Sequence, residues 1–551
     1  MSPTAKTLVC VPIMVEEVGR ALADASEAST LGADLVEYRI DGFFDGELDE
    51  GVTGDLCRLL DETPLPCVVT CRSVSEGGRY EGEEWARLDL LEAIANRKKP
   101  PRAPAYIDAE FASYRDSPGL ARRINELFSE SGRVSTTGLI LSAHDFDGRP
   151  ADLTRRLLSM REAGSARALK IAFRARSLRD NLELFDLLQE RDRPTIALGM
   201  GEFGLMSRVL APKFGGMLTF ASLRDESSTA PGQPTIADLL GLYRFREIGS
   251  GTRVYGVVGW PVSHSLGPFI HNAGFEAVGH DGVYLPMPIA TGENGHAAFE
   301  SLKATLPALI EYPGLHFCGA SVTIPHKTGL LRLADELGWE IDEASRAIGA
   351  ANTLVVERDA EGGVEGVRLM NTDSEAIADC MDEAVGGLEG LRCAVIGAGG
   401  AARAAAWAMA SRGASVGVYA RKPEKAVELA RSLDSPDGEI TAHAMEAFAD
   451  GGHTDALINC TPVGMRGGPS PDALPIEQAA LKRMAGGAVC FDTVYTPART
   501  PLIEAAERAG LRTIDGASMF VRQASAQFQA WTGTAAPEGL FRRIVEERSA
   551  S

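Results

Sequence analysis

A lysine in the middle of an apolar segment is the first candidate for chemistry in this chain. Lys170 lies within residues 168–173, a segment that reads as a short strand whose other residues are all apolar. A lysine there either extends its ammonium group to water along its four-carbon stem or stays inside and loses its charge. An uncharged, buried lysine is a common nucleophile for forming an imine with a ketone. Taken alone, the segment favours the first case, a lysine at a sheet edge, so the surrounding sequence decides.

Other polar residues of the first half follow short apolar segments that also read as strands. Each has an ordinary explanation by itself, because carboxylates cap helices and exposed strand ends carry charges. The set consists of Glu37, Arg39, Asp41, Arg72, Glu76, Asp108, Glu110, His144, Asp145, Thr229 and Gln233. If the strands form one barrel, these side chains meet at the face where barrel enzymes build their active sites.

The spacing of the apolar segments predicts such a barrel. The predicted strands are residues 8–15, 35–40, 67–71, 106–110, 139–143, 169–173, 195–198 and 217–221. Amphipathic segments that read as helices lie between them, for example residues 120–128, 153–162 and 178–189. Eight strand–helix alternations over roughly 240 residues fit a (β/α)8 TIM barrel within the α/β class. An open, doubly wound sheet is the alternative.

The composition points to a globular protein of several domains. At roughly 150 residues per domain, a chain of 551 residues suggests two to four. The formal net charge of −21 argues against nucleic-acid and membrane partners, because both are anionic. The nine cysteines are scattered, without a Cys-x-x-Cys pair, which fits a cytoplasmic protein without a metal site. Neither a targeting segment nor a membrane span is expected.

A glycine-rich turn in the second half is typical of dinucleotide binding. Residues 392–396 read as a strand and residues 402–409 as an alanine-rich helix. The turn between them is Gly397-Ala398-Gly399-Gly400-Ala401. Such a turn lets the backbone approach a pyrophosphate at the helix N-terminus. The next predicted strand is followed by Arg421 and Lys422 without an acid, which predicts NADP, because cations suit its 2′-phosphate.

The second half also contains small polar residues on loops that follow predicted strands. They are Ser263, Ser265, Thr323, Lys327, Asn352 and Asp373. Hydroxyls, an amide, a lysine and an aspartate could together line a cleft for an oxyacid. Ser265 also fits a helix cap, with Pro268 in the first turn. The clearest domain boundary precedes this set, at the Gly-Ser-Gly segment 249–251.

The motifs of the first half resemble those of the type I 3-dehydroquinate dehydratases. They are Glu-x-Arg at 37–39, Cys-Arg-Ser at 71–73, Glu-Gly-Gly at 76–78, Ser-Ala-His-Asp-Phe at 142–146, Leu-Lys-Ile-Ala at 169–172 and Ala-Pro-Gly-Gln at 230–233. The resemblance implies that Lys170 forms an imine with the substrate ketone and that His144 moves the proton of the adjacent carbon. The substrate-binding residues that it implies are Glu37, Arg39, Arg72, Glu76, Arg208, Thr229 and Gln233. The guanidinium groups of the three arginines suit a carboxylate.

The second half, from about residue 253 to 545, resembles shikimate dehydrogenase. The resemblance implies that Lys327 and Asp373 are a catalytic pair at the substrate oxygen while hydride moves to or from the nicotinamide. The implied substrate-binding residues are Ser263, Ser265, Thr323, Asn352, Tyr495 and Gln523. Those implied for NADP, besides the glycine-rich turn and the two cations, are Thr461, Gly516 and Met519. Ser321 stands where bacterial single-domain members commonly have asparagine, a pattern of the fused plant-type proteins.

Together the two resemblances predict a bifunctional shikimate-pathway enzyme. The first module would dehydrate 3-dehydroquinate to 3-dehydroshikimate, and the second would reduce that product to shikimate with NADPH. The predicted domains are 1–246 for the barrel, 252–372 with 516–551 for a shikimate-binding lobe, and 373–515 for a Rossmann NADP-binding lobe. Two alternatives stay open: a quinate/shikimate dehydrogenase working in the catabolic direction with NAD, and a non-catalytic sensor that keeps both folds.

Overall fold

Three β-sheets organise the chain. The computed structural model describes residues 6–95, 103–128, 137–225, 229–230, 232–292, 295–433, 437–448 and 454–550. The chain divides into two compact units, Met1–Thr252 and Arg253–Ser551. The first unit contains an eight-stranded sheet and the second contains two six-stranded sheets.

The first unit is a nearly closed parallel barrel. Its strands β1–β8 are Leu8–Met14, Leu35–Arg39, Cys67–Thr70, Tyr106–Glu110, Gly138–Asp145, Ala166–Arg174, Thr195–Met200 and Leu218–Phe220. Its helices α1–α8 are Val18–Thr30, Glu50–Glu62, Glu84–Ala95, Phe111–Asp116, Pro118–Phe128, Leu153–Glu162, Asp180–Gln189 and Leu205–Val209. The strands follow one another in the order β7-β6-β5-β4-β3-β2-β1-β8. Between β7 and β8 the amide of Met217 donates to the carbonyl of Thr195 at 2.9 Å. The predicted barrel is confirmed, since a doubly wound sheet would reverse its strand order.

The barrel interior is apolar at one level and polar at the next. An apolar cluster contains one or two residues from most strands, including Leu35, Ile140 and Ala168. Side chains two positions further along a strand point to the same face. Those positions hold Glu37, Ser142 and Lys170, all buried. The alternation of the strands therefore brings these polar groups together above the apolar layer.

The second unit begins with a mixed sheet. Its strands β9–β14 are Arg253–Gly259, Gly282–Pro288, Phe317–Val322, Glu340–Ile341, Thr353–Arg358 and Val364–Met370, in the order β10-β9-β11-β13-β14-β12. The third sheet is parallel, with strands β15–β20 at Arg392–Ile396, Ser415–Ala420, Ile440–Ala444, Ala456–Asn459, Val489–Asp492 and Arg512–Ile514. Its order β17-β16-β15-β18-β19-β20 reverses between β15 and β18, as in a Rossmann fold. The predicted Rossmann lobe is confirmed.

The last helices return to the mixed sheet. Helices α9–α19 of this unit are Gly267–Val278, Gly295–Glu311, Lys327–Leu337, Glu343–Ile348, Thr372–Val385, Gly400–Ala410, Pro423–Ser432, Gln478–Leu481, Pro501–Arg508, Gly516–Thr532 and Glu538–Ala550. Phe528 and Trp531 of α18 and Phe541 of α19 share an apolar cluster with Tyr255 and Tyr284 of the mixed sheet. The indole Nε1 of Trp531 also donates to the carbonyl of Leu354 at 2.9 Å. The exact bounds of the three predicted domains stay a prediction.

Within the described parts of the chain, no helix is both long and apolar enough to cross a membrane. All nine cysteines are free thiols. The cytoplasmic location stays a prediction.

Candidate active sites

Lys170 lies inside the barrel, within a network of charges. Its side chain is 7% exposed, and Nζ lies 3.4 Å from Oε1 of Glu37 and 3.7 Å from Oδ2 of Asp108. Nζ also lies 4.3 Å from the centre of the Phe220 ring, within cation–π range. The amine therefore does not extend to water. Its surroundings are not apolar as expected, because the carboxylates of Glu37 and Asp108 flank the amine in a buried network; an uncharged Lys170 stays a prediction.

Arg72 follows β3 and occupies the centre of this network. Its Nη2 donates to Oδ1 of Asp108 at 2.9 Å, and its Nη1 donates to Oγ of Ser142 at 2.8 Å. Carboxylate oxygens of Glu110 and Glu76 lie 3.4 and 3.6 Å from Nη1. Burial opposes the charge of Arg72, but Asp108 and Glu110 raise the pKa of the guanidinium above its usual value. Its fork, predicted to bind the substrate carboxylate, is already engaged with protein groups.

Glu37 is the acid on the other side of Lys170. It is 4% exposed, and its Oε1 accepts a hydrogen bond from the hydroxyl of Thr70 at 2.7 Å. Burial would raise the pKa of Glu37, but Lys170 and the guanidinium groups of Arg39 and Arg72 lower it below the usual value. Glu37 is therefore a carboxylate that balances the buried cations.

His144 and Glu76 form a pair at the edge of the network. Nδ1 of His144 lies 2.9 Å from Oε2 of Glu76, and the backbone N–H of His144 donates to the same oxygen at 3.2 Å. Burial lowers the pKa of His144 well below its usual value, and Arg72 and Lys170 add to this effect. Burial also raises the pKa of Glu76 to about 8, with Glu110 contributing. The imidazole is therefore neutral near neutral pH, and one proton lies between Oε2 and Nδ1.

Two predicted substrate-binding residues reach a cavity at the barrel. This cavity has a volume of about 490 Å³, and its lining residues include Pro12, Arg39, Gly77, Arg79, Arg224 and Thr229. Arg39 makes two hydrogen bonds to Asp41, at 2.8 and 3.0 Å. Oε1 of Gln233 accepts from the amide of Thr229 at 3.3 Å. Nε2 of Gln233 is buried and has no hydrogen-bond partner within the described residues, so a ligand could accept from it.

Arg208 is placed by α8. It is 2% exposed, and its Nε donates to the carbonyl of Gly199 at the end of β7 at 3.0 Å. Burial lowers the pKa of Arg208 to about 10. Its local contacts are thus to β7, and its substrate role stays a prediction.

The second unit brings Lys327, Asp373 and Asn352 into direct contact. Nζ of Lys327, at the first residue of α11, lies 2.5 Å from Oδ2 of Asp373. Nδ2 of Asn352 donates to Oδ1 of Asp373 at 2.9 Å. Asp373 lies in the first turn of α13, where the helix dipole favours a negative charge. The lysine and aspartate that the sequence predicted as a pair thus form one.

A buried hydrogen-bond chain fixes the orientation of Asn352. Its Oδ1 accepts from the hydroxyl of Thr353 at 2.8 Å and from the amide of Thr372 at 2.9 Å. Nε2 of Gln527 donates to Thr353 Oγ1 at 3.0 Å, and Oε1 of Gln527 accepts from Ser321 at 2.7 Å. Because Oδ1 is committed as an acceptor, Nδ2 must face Asp373. The sequence analysis missed Gln527 and Thr353.

The other predicted substrate residues of this unit make local contacts. Oγ of Ser265 accepts from the amide of Gly267 at 3.1 Å, but the N-cap of α9 is Leu266 and no side chain caps this helix, so the expected cap at Ser265 is wrong. The Tyr495 ring stacks on Phe520 of α18 with 4.5 Å between ring centres. Nε2 of Gln523 donates to the carbonyl of Phe520 at 3.2 Å. Ser263 is exposed after β9, and Thr323 is half-buried after β11.

The glycine-rich turn has the shape that a pyrophosphate requires. Gly397 has φ +119°, and a Cβ there would lie 3.2 Å from both the Cys460 carbonyl oxygen and Cγ2 of Thr461. Only glycine adopts this conformation readily. Gly399 caps the 11-residue helix α14, and among the described residues no heavy atom outside its own turn lies within 4 Å of where its Cβ would be. The N-terminus of α14 is therefore open to an anion, with Ala398 and Ala401 in the same turn.

The turn lies next to Lys327 of the Lys327–Asp373 pair. A Cβ at Gly400 would lie 3.1 Å from Cδ of Lys327. At the start of α18, a Cβ at Gly516 would lie 2.4 Å from the carbonyl oxygen of Val494, and Met519 is 7% exposed. The exposed side chains after β16 are Arg421 and Lys422. These groups fit a dinucleotide with an extra phosphate.

In the barrel the sequence analysis missed Ser142 and Phe220. Ser142 pairs in register with Lys170 on the neighbouring strand, so it points to the same face. Its signal would have been the two-residue spacing from His144 along β5. Phe220 belongs to a strand of three residues, and such a strand carries little periodicity.

Comparison with known proteins assigns both halves. The type I 3-dehydroquinase family matches residues 9–250, and the shikimate dehydrogenase substrate binding domain matches residues 257–354. A shikimate dehydrogenase (NADP(+)) of Citrifermentans bemidjiense is 38% identical over 311 residues, which cover 54% of this chain and 96% of that protein. The solved structure of the dehydroquinate dehydratase and shikimate dehydrogenase from S. pombe AroM is 24% identical, covers 99% of this chain and 98% of that chain, and has a TM-score of 0.41.

The whole chain has a relative of the same organisation. It is 36% identical over 559 residues to the bifunctional 3-dehydroquinate dehydratase/shikimate dehydrogenase, chloroplastic, of Arabidopsis thaliana. The match covers 98% of this chain and 84% of that protein. The chain therefore belongs to the family of bifunctional 3-dehydroquinate dehydratase/shikimate dehydrogenases.

Proposed function

We propose that this protein converts 3-dehydroquinate to 3-dehydroshikimate in its first unit and reduces 3-dehydroshikimate to shikimate with NADPH in its second. Family membership supports both activities. The observation that carries the proposal is the burial of Lys170 Nζ between Glu37 and Asp108, within the charged network that also contains His144. A lysine held there has no use as a solubilising surface charge.

Lys170 is proposed as the nucleophile of the dehydration. Nζ gives up one proton and adds to the substrate ketone as the free amine; the carbinolamine takes one proton up again, and loss of one water then gives an iminium, the protonated form of a Schiff base. His144 then takes the proton from the adjacent carbon, and the electron pair of the C–H bond moves into the iminium to give an enamine. The enamine expels the substrate hydroxyl, which leaves as water with the proton that His144 returns. Hydrolysis of the conjugated iminium releases 3-dehydroshikimate and regenerates Lys170.

Glu76, Glu37 and the arginines prepare this site. Glu76 orients the imidazole through Nδ1, so that Nε2 faces the substrate. Arg39 and Arg208, together with Thr229 and Gln233, are proposed to bind the substrate carboxylate and hydroxyls. Arg72 and Glu37 hold the charges around Lys170 in place.

Lys327 and Asp373 are proposed as the proton-transfer pair of the reductase. In the direction of shikimate formation, Lys327 donates a proton to the substrate oxygen, and Asp373 stabilises the ammonium that supplies it. NADPH, when bound, supplies the hydride. Residues proposed to hold the substrate are Ser263, Ser265, Thr323, Asn352, Tyr495 and Gln523. Those proposed to hold NADP are Gly397, Ala398, Gly399, Gly400, Ala401, Arg421, Lys422, Thr461, Gly516 and Met519.

An NAD-linked catabolic role would call for an acid after β16, where the chain has Arg421 and Lys422.

Borohydride trapping tests the imine. Incubation with 3-dehydroquinate and borohydride, followed by peptide mass mapping, is expected to label Lys170. Lys170→Ala is expected to abolish labelling and dehydration but to leave NADP-linked shikimate oxidation intact. Lys213 is a matched control, because it is also a buried barrel lysine but donates to the Ser250 and Thr252 carbonyls; Lys213→Met is expected to keep the label. A label on another residue, or loss of both activities in folded Lys170→Ala protein, would contradict the two-site proposal.

A further inference from the structure

Arg87 is a buried arginine of the barrel that neither resemblance assigns to a site. It lies on α3 in the helical layer of the barrel and is 5% exposed. A buried guanidinium is costly unless its donors are paired. The groups that pair with Arg87 therefore indicate its role.

The contacts of Arg87 join the ends of two strands. Nη1 lies 2.9 Å from Oε2 of Glu110 at the end of β4, and it donates to the carbonyl of Cys71, just after β3, at 3.2 Å. Nη2 donates to Oγ of Ser113 at 2.7 Å and to Oε2 of Glu84 at 2.5 Å. Cys71 directly precedes Arg72 in the chain. Arg87 thus fixes both the backbone that carries Arg72 and the carboxylate beside it.

Glu110 is the link from Arg87 to the site. Its Oε1 accepts from the amide of Ser73 at 2.8 Å, its Oε2 accepts from the Ser73 hydroxyl at 2.7 Å, and Nη1 of Arg72 lies 3.4 Å from Oε1. Burial would raise the pKa of Glu110, but Arg72 and Arg87 lower it below the usual value. Without Arg87, the guanidinium of Arg72 alone would have to pair with the carboxylate of Glu110.

We propose that Arg87 is a positioning residue of the dehydration site, which neutralises Glu110 and so leaves the fork of Arg72 directed into the barrel. The fork then keeps its shorter bonds to Asp108 and Ser142, and Asp108 stays in place beside Lys170. This inference rests on the proposed dehydratase function of the first unit.

The order of the charges around Arg87 also supports a positioning role. The groups that face Arg87 are Glu84 on its own helix, Tyr80 before that helix and Glu110 from β4. Beyond Glu110 lie Arg72, Glu76, Asp108 and Lys170, so that acids and cations alternate. Removal of one cation from this series leaves an excess negative charge, which raises the pKa of the nearest carboxylic acids. The titration of the Glu76–His144 pair should then move to higher pH.

The test is the pH profile of kcat/KM for dehydration of 3-dehydroquinate by the full chain. Arg87→Gln is expected to lower kcat/KM by about tenfold or more, because a misdirected group costs turnover, and to move the inflection of the Glu76–His144 pair to higher pH. Arg87→Lys keeps the charge but loses the fork, so its kcat/KM should also fall while its inflection stays at the wild-type pH. Arg123→Gln is the matched control, because Arg123 lies on the neighbouring helix α5 in a more exposed ion pair with Glu92. It is expected to behave as wild type.

The outcomes separate the inference from the proposed function. A wild-type profile for Arg87→Gln, or the same shift in Arg123→Gln, would overturn the positioning role. If Arg87→Gln does not fold, Arg87→Lys decides, and an unchanged kcat/KM in that variant overturns the proposal. Failure of the wild-type chain to dehydrate 3-dehydroquinate or to form a borohydride adduct would instead contradict the proposed function.

Discussion

At the scale of single residues, the buried charges of the barrel site are stabilised by contact with groups of opposite charge. Lys170, Arg72 and Glu37 are each buried and each contact a group of opposite charge. Breaking one such pair leaves an uncompensated charge, which costs more than the pair itself contributes. The site therefore tolerates few single substitutions.

The proton shared by Glu76 and His144 gives a pH prediction. Because the pKa of Glu76 is raised to about 8, the pair keeps its proton below that pH and releases it as pH rises through that value. Release leaves Nδ1 as the donor to Glu76 and frees Nε2 to act as a base. The kcat/KM for dehydration, which reports groups of the free enzyme, should thus rise with pH up to about 8. Because the pKa of His144 is lowered, kcat/KM is not expected to fall in the pH range where an imidazole usually takes up its proton.

Glu76→Gln checks this assignment. Glutamine has no proton to release, so the inflection near pH 8 should disappear from the kcat/KM profile. Shikimate oxidation by the same preparation serves as the internal control and should keep its wild-type pH dependence. An inflection that survives the substitution would assign the titration to a different group.

At the scale of elements, the start of α14 is expected to affect both NADP binding and the position of Lys327. Gly399 faces open space, whereas Gly400 faces the stem of Lys327. One residue of the turn therefore has room for the proposed cofactor contact, and the next packs against Lys327, the proposed proton donor. The close approach also explains why this helix begins with a small residue.

Alanine at each glycine should separate these properties. Gly399→Ala places a methyl group in the open space and is expected to raise KM for NADP with a smaller change in kcat. Gly400→Ala brings a Cβ to 3.1 Å from Cδ of Lys327 and is expected to lower kcat by about tenfold, since small displacements of a catalytic group are costly. Steady-state shikimate oxidation measures both. The same kinetic effect in the two variants would contradict this separation.

At the scale of the whole molecule, the residues proposed to react divide between the two compact units. Lys170, His144 and Glu76 lie in the first unit, and Lys327 and Asp373 lie in the second. The two proposed steps therefore each use reactive groups from one unit. They require only that the intermediate pass through solution or along the protein.

Complementation between two inactive variants tests this independence. Lys170→Ala lacks the first step and Lys327→Ala lacks the second, so neither is expected to form shikimate from 3-dehydroquinate and NADPH. An equimolar mixture should form it, because 3-dehydroshikimate released by one variant is the substrate of the other. The measurement is NADPH consumption after addition of 3-dehydroquinate. No consumption by the mixture, with each remaining activity present, would contradict the independence of the sites.

The sequence predicted the elements better than the contacts between them. The apolar segments located the eight barrel strands, with differences at their ends such as β6, which begins at Ala166 before the expected residue 169. The position of Lys170 within its strand followed from the same pattern, whereas Lys327 was expected on a loop and instead begins α11. The partners of Arg72 did not, because register between strands determines them. Gln527 was missed because it contacts a residue 174 positions away, Thr353, and no local pattern encodes such a pair.

The ion pairs of Lys170 have one further consequence. An ammonium and a ketone condense to an iminium and one water, so the positive charge at Nζ is the same before and after the covalent bond forms. Glu37 and Asp108, at 3.4 and 3.7 Å, therefore face an unchanged electrostatic partner and need not rearrange. The resting protein already provides the surroundings that the proposed covalent adduct requires, as a preorganised site does.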